Sequence, residues 1–249
     1  MRIIAVTGLK GGVGKTSTAV NIATLAALEG HRTMLWDLDP QGAATFCLDL
    51  KPKLRGGALK LLGGGRGGLV GVARTSNIEG LEVVPADTSV REVERVLSVG
   101  SKSHKLIRRL VAGTKRDVDV MVIDCPPGIS QVVEAVASVA DVLLVPVPPE
   151  PLPYRALERF SGFLAQTKSA SPELVAPFLS MVDRRVPMHR RIEAQIREDG
   201  GFLAAAIPES SSIARMGEEQ IPAVLAAPRS LAAQQYDVLW SETKERIGL

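Results

Sequence analysis

Three stretches of this chain carry side chains suited to phosphate chemistry: GLKGGVGKTST at residues 8–18, WDLDPQGAAT at 36–45 and VMVIDCPPG at 120–128. A glycine-rich turn between a strand and a helix lets backbone N–H groups converge on phosphate oxygens, and the helix N-terminus adds partial positive charge. Gly11, Gly12 and Gly14 supply that backbone freedom around Val13, Lys15 can reach β and γ phosphates, the Thr16 hydroxyl can sit on Mg²⁺, and Ser17 continues the first helical turn. A plain strand-to-helix turn is the alternative, and the number of agreeing positions sets it aside. The strict motif asks for glycine five residues before Gly14, where this chain has Leu9, so the loop is a deviant form. It also carries a second lysine, Lys10, ahead of its glycines.

The other two stretches supply carboxylates. Acidic groups at the carboxyl end of a strand beside a phosphate loop can orient an attacking water and hold hydrated Mg²⁺, and Pro40 and Gly42 let the chain turn away after Asp37 and Asp39. An isolated D-x-D equally fits a capped turn, and its spacing after the loop is what favours the site. Asp124 ends a hydrophobic run, as a carboxylate that contacts Mg²⁺ through water should. Cys125 beside it reads as a small buried residue rather than a redox or metal group.

Positioning these groups requires a layered fold. Apolar β-type runs at 3–7, 33–37, 81–86, 120–125, 142–147, 176–182 and 202–207 alternate with helical patterns at 15–29, 89–98, 101–112, 129–138, 152–167, 188–198 and 230–246. That alternation predicts an α/β fold, a single doubly wound and mostly parallel sheet flanked by helices, as one domain over residues 1–249. The stretch 55–69 is rich in glycine with scattered arginine and reads as a flexible loop between strands rather than core. No apolar run reaches the roughly 18–20 residues of a membrane-spanning helix, the start has no secretory pattern, and two cysteines give no disulfide framework, which points to the cytoplasm. Net charge is +3 and aromatics are 4% of residues, so any contact with nucleic acid would be electrostatic rather than by stacking.

With KGGVGKT, WDLDPQGAAT and IDCPP in place, the chain resembles the ParA/MinD family of deviant Walker A ATPases, and the resemblance runs over most of its length. It implies a P-loop NTPase fold and ATP with Mg²⁺ as cofactors. In that family the extra lysine reaches the phosphates held by the opposite subunit of an ATP-dependent homodimer, the role implied for Lys10. Asp39 matches the residue assigned to water activation, Asp37 its neighbour near the metal, and Asp124 the Walker B carboxylate. AIPESSSIARMGEEQIP at 206–222 is similar to a family segment that places Pro208 beside the adenine, although Glu209 and Ser210 depart from its usual residues. Tyr236 sits where the family's closing helix has one.

The resemblance also raises a reading for DRRVPMHRRIEAQIRE at 183–198, where a mixed charge run is otherwise a solvated helix face. Family members bind duplex DNA nonspecifically through C-terminal basic patches, so Arg184, Arg185, Arg190, Arg191 and Arg197, with Arg215 and Arg229, are candidate contacts. No helix-turn-helix precedes the loop and no amphipathic tail follows Leu249, so neither operator recognition nor a membrane role is expected. Two functions remain open. One is a nucleoid-associated ATPase that positions a plasmid, chromosome locus or protein cargo, stimulated by a ParB-like or cargo-adaptor protein. The other is a biosynthetic ATP-dependent amidase or synthetase of the same fold, for which Lys10 gives no reason.

Overall fold

Short apolar runs rich in valine, isoleucine and leucine are suited to strands buried on both faces, where no polar side is needed. Eight strands, all but the polar pair Arg74–Thr75 drawn from apolar runs, form among the described residues of the computed structural model, which are all except 55, 58–60, 62–67, 93–94, 96–102 and 167–174. They are β1 (Arg2–Val6), β2 (Thr33–Asp37), β3 (Arg74–Thr75), β4 (Leu81–Val84), β5 (Val120–Asp124), β6 (Val142–Val147), β7 (Val175–Val182) and β8 (Ala206–Pro208). Their spatial order is β3-β4-β2-β5-β1-β6-β7-β8. Every neighbouring pair is parallel except β3 with β4.

The helices are α1 (Lys15–Leu28), α2 (Ala43–Cys47), α3 (Ser103–Ala112), α4 (Gln131–Ala137), α5 (Pro151–Gln166), α6 (Pro187–Asp199), α7 (Ser211–Ala214), α8 (Met216–Glu219), α9 (Ala223–Ala226) and α10 (Leu231–Ile247). Local chemistry sets several ends. Ser130 and Ser230 cap α4 and α10 by accepting from the N–H of Val133 and Ala233, and Pro187 opens α6. The period of two along each strand divides the core. Ile3, Ala5, Met34, Trp36, Met121 and Ile123 point toward α3, α4 and α5. Ile4, Val6, Leu35, Val120 and Val122 point toward α1 and α10.

Register brings the chemistry to one edge. Val6 and Asp37 each lie opposite Asp124, so β1, β2 and β5 end level with one another. The loop after β1 and the carboxylates ending β2 and β5 therefore share one crevice, where ligands of open α/β sheets bind.

The expected strand at 202–207 is shorter, running Ala206–Pro208. Its first residues turn instead to α10: Glu242 accepts the N–H groups of Ala204 and Ala205 at 2.7 and 3.0 Å, and Gln235 accepts that of Ala206 at 2.7 Å. Side chains thus replace ladder partners for three backbone donors. Within the glycine-rich stretch, residues 55, 58–60 and 62–67 lie outside the described residues, but Leu61 and Leu69 are buried in the core, contrary to a wholly coreless loop. Half of the expected helix at 89–98 also lies outside the described residues. No helix among the described residues is long and apolar enough to cross a membrane.

Glu242→Ala should lower unfolding free energy by about 1–3 kcal/mol, because it leaves two amides without their acceptor. Glu242→Gln, which keeps one acceptor oxygen, should lose less; urea denaturation of both variants measures the difference.

Candidate functional site: a phosphate loop above two buried carboxylates

The turn from β1 to α1 is held by glycine geometry and by β7. Gly12 and Gly14 have φ of 75° and 93°, in the left-handed region that side chains disfavour. A Cβ on Gly14 would stand 2.9 Å from Ser180 Oγ, and Ser180 itself donates to the Val13 carbonyl at 2.8 Å. Ser180 thus pins the loop from β7, two strands away from β1 in the sheet, a role the sequence alone did not signal.

Lys15 is buried, and its ammonium donates to the Lys10 carbonyl at 2.9 Å. Burial lowers its pKa, against the opposing pull of Asp124, Asp39 and Cys125. Lys10 is exposed, and its own ammonium has no partner among the described residues. Beside Lys10 lies a small apolar hollow lined by Leu9, Val13, Val145 and Val147.

Asp124 is fully buried; its Oδ2 accepts from Thr16 Oγ1 at 2.8 Å, while its buried Oδ1 has no partner among the described residues. Thr7, at the end of β1, has a buried hydroxyl in the same condition. Asp37 is also buried. Its Oδ2 accepts from the N–H and hydroxyl of Thr45 at 2.9 and 2.7 Å, and its Oδ1 from the N–H of Asp39 at 3.2 Å. Burial pushes the Asp37 carboxyl up to about 6, and burial together with the neighbouring Asp37 charge pushes Asp124 well above the usual carboxylate range. Asp39 is half-buried and accepts from the Gln41 N–H at 2.9 Å. Thr45 was not anticipated either; it fastens the 36–45 segment to Asp37 and accepts the Ala86 N–H at 3.0 Å.

These residues suit a magnesium-bound triphosphate. A carboxylate oxygen with no partner among the described residues, beside a threonine hydroxyl, a left-handed glycine loop and a buried lysine, is a donor set for a hard cation with phosphate oxygens. Beyond the loop opens a cavity of about 230 Å³ lined by Gly12, Gly14, Ser17, Ile207, Pro208 and Tyr236 among others. Pro208 therefore lies on the same hollow as the loop. Tyr236 is buried against Ser17, Thr18 and Asn21, and its phenol is pushed up mainly by desolvation.

A family model described as an AAA domain matches residues 1–175. The chromosome-partitioning ATPase Soj of Thermus thermophilus is 30% identical, the match covering 99% of this chain and 97% of Soj. The chain belongs to the ParA/MinD family of ATPases. A second relative of this ATPase family, the sporulation initiation inhibitor protein Soj of Bacillus subtilis, is 27% identical over 94% of this chain and 95% of its own. Among solved structures, a cobyrinic acid a,c-diamide synthase of Mycobacterium smegmatis with bound ATP analogue and magnesium superposes with a TM-score of 0.80 at 25% identity, over 98% of this chain and 95% of that one.

The basic run is not gathered in the same way. Arg184 and Arg197 both pair with Glu193, at 2.8 and 3.1 Å, and Arg215 pairs with Glu219 at 3.4 Å. Arg185 pairs with Asp183 and holds that carboxyl down at about 2. Arg190 donates to the Arg184 carbonyl, and Arg191 lines a hollow with Glu150 and Asp199. Arg229 is exposed on a separate segment before α10. His189 accepts the Asp183 N–H in the first turn of α6, a helix-start role.

Because the folded state raises the pKa of Asp37, it binds a proton there that the unfolded chain has released. This contribution is complete below about pH 4 and is lost as pH rises through about 6. Nucleotide-free protein should therefore unfold at lower temperature at pH 7 than at pH 5, and Asp37→Asn should flatten that dependence; calorimetry across the range measures it.

Proposed function

We propose that this ATPase is a nucleotide-switched positioning protein: an ATP-dependent homodimer that binds duplex DNA without sequence preference on the nucleoid, in the cytoplasm, and moves or spreads a plasmid, chromosome locus or protein cargo. A ParB-like or cargo-adaptor protein would stimulate its hydrolysis. The observation that carries this reading is Lys10, an exposed cation beside the phosphate loop with no acceptor of its own among the described residues. Lys15 already serves the loop from within the subunit, so a second lysine adds most when it meets phosphates held by another copy. Assembly then depends on the γ-phosphate.

Bound ATP and Mg²⁺ supply the phosphoanhydride and the charge that neutralises its oxygens. The N–H groups from Gly11 to Ser17 would cradle phosphate oxygens, with Lys15, now on the Lys10 carbonyl, free to turn to them. Thr16, Asp124 and Asp37 are the residues that would hold the metal. Asp39 would orient the attacking water, and Pro208, on the cavity beside the loop, would flank the base.

The mycobacterial synthase keeps a biosynthetic reading open, in which phosphate transfer activates a carboxylate. Glutamine-dependent amidation would need a reactive thiol, and burial pushes Cys47 up to about 11 and Cys125 higher still. Neither cysteine is poised as that nucleophile.

Lys15→Ala should abolish binding of a fluorescent ATP analogue; wild-type affinity would remove the phosphate-loop assignment. Lys10→Ala should bind nucleotide within roughly threefold of wild type yet remain monomeric with ATP by light scattering. Asp39→Ala should retain ATP, accumulate as dimer and lose roughly 100-fold or more in turnover, the scale for a lost water-positioning group. Slow ATP hydrolysis without a small-molecule substrate, accelerated by duplex DNA, separates the positioning role from the biosynthetic one.

A further inference from the structure

A second concentration of positive charge on the described surface lies away from the arginine run singled out by sequence. It is the outer face of α3 and the turn behind it. Residues 103–118 hold five cations, Lys105, Arg108, Arg109, Lys115 and Arg116, against one carboxylate, Asp117. Residues 183–199 also hold five, Arg184, Arg185, Arg190, Arg191 and Arg197, but against four carboxylates, Asp183, Glu193, Glu198 and Asp199.

The structure sharpens the contrast. Ile107, Leu110 and Val111 bury one side of α3 in the core, so Lys105, Arg108 and Arg109, at i, i+3 and i+4, are exposed together on the other. Among the described residues, Lys105, Arg108, Lys115 and Arg116 form no ion pair. Two neighbouring acids are engaged elsewhere: Glu134 of the adjoining α4 meets His104 at 3.3 Å, and Asp119 is held by Arg32, whose guanidinium also donates to the Arg116 carbonyl. Lys105 and Arg108 are like charges one turn apart and repel, so an anion laid across the two is favoured.

We propose that α3 and the 113–116 turn form a polyanion-binding face, and that the polyanion is the phosphate backbone of duplex DNA. The inference rests on the DNA-binding part of the function proposed above and relocates its surface. Protein partners are usually anchored by desolvated aromatic or aliphatic side chains, and a membrane by apolar residues that enter lipid. The apolar residues of α3 are occupied by the core, leaving a face of cations that suits counterion release from phosphates. The face lies on the side of the sheet opposite α1 and α10.

The test is binding of a short fluorescent duplex of random sequence to the full chain, with a non-hydrolysable ATP analogue and Mg²⁺, followed by anisotropy over a salt series. Lys105→Ala with Arg108→Ala should weaken binding about tenfold or more at low salt. It should also shallow the log–log salt slope by about 1.8, or about 0.9 per lost phosphate contact. Lys105→Arg with Arg108→Lys keeps the charges and should keep affinity and slope, which a merely structural role of the two side chains would not require. Arg184→Ala with Arg185→Ala should leave the slope within about half a unit, less than one lost phosphate contact. If the alanine pair binds like wild type, or the charge-keeping pair fails as the alanine pair does, the α3 face is overturned while DNA binding stands. If wild-type protein binds no duplex at low salt, DNA binding falls and α3 with it. Binding to phosphatidylserine vesicles without duplex binding overturns the proposal in favour of a lipid surface.

Discussion

Two carboxylates buried side by side, with one buried lysine as the neighbouring cation, are the constraint around which this molecule is arranged. Asp37 and Asp124 end adjacent parallel strands in register, and a single nearby lysine is itself desolvated. Water is excluded because β2 and β5 are covered on both faces, so the negative charge cannot be screened in place. What can be done locally has been done: Thr45 and the Asp39 amide bond Asp37, and Thr16 bonds Asp124. The Oδ1 of Asp124 is still left without a partner among the described residues. The site is thus strained electrostatically in the absence of ligand, and a metal-bound triphosphate is the kind of ligand that relieves it.

The strain is transmitted because its members belong to segments that must move or set together. Asp37 fixes Thr45, which fixes Ala86; Lys15 holds the Lys10 carbonyl; Ser180 holds Val13. A change in occupancy at the centre therefore reaches the 36–45 segment, the stretch following β4 and the carbonyl of the residue proposed to meet a second subunit. These are direct hydrogen bonds, so coupling between nucleotide and surface has a physical route through named atoms.

Much of this was legible in the sequence, for reasons that differ by residue. GLKGGVGKTST, Asp37, Asp39 and Asp124 were readable because phosphate chemistry restricts residue type and spacing together. The strands were readable because burial on both faces leaves only apolar residues. The first part of the 202–207 run misled because its amides are bonded by Glu242 and Gln235, contacts from about thirty to forty residues away that no local pattern encodes. Ser180 and Thr45 escaped notice because a hydroxyl's role depends on which backbone group it meets. The arginines of 183–197 drew attention by density, whereas pairing is a property of three-dimensional neighbours, and only the fold shows that most of them are already satisfied.

The same long-range bonds from α10 bear on how the molecule avoids its own kind. A parallel sheet with bare edges is a template for indiscriminate strand pairing. Here one outermost strand, β3, is two residues long and the other, β8, is three, and the donors leading into β8 are taken by side chains of the final helix. Neither border offers a run of amides and carbonyls long enough for a neighbour's strand to extend. A protein crowded at high local density on a shared scaffold can then remain discrete, with self-association left to its faces rather than its rims.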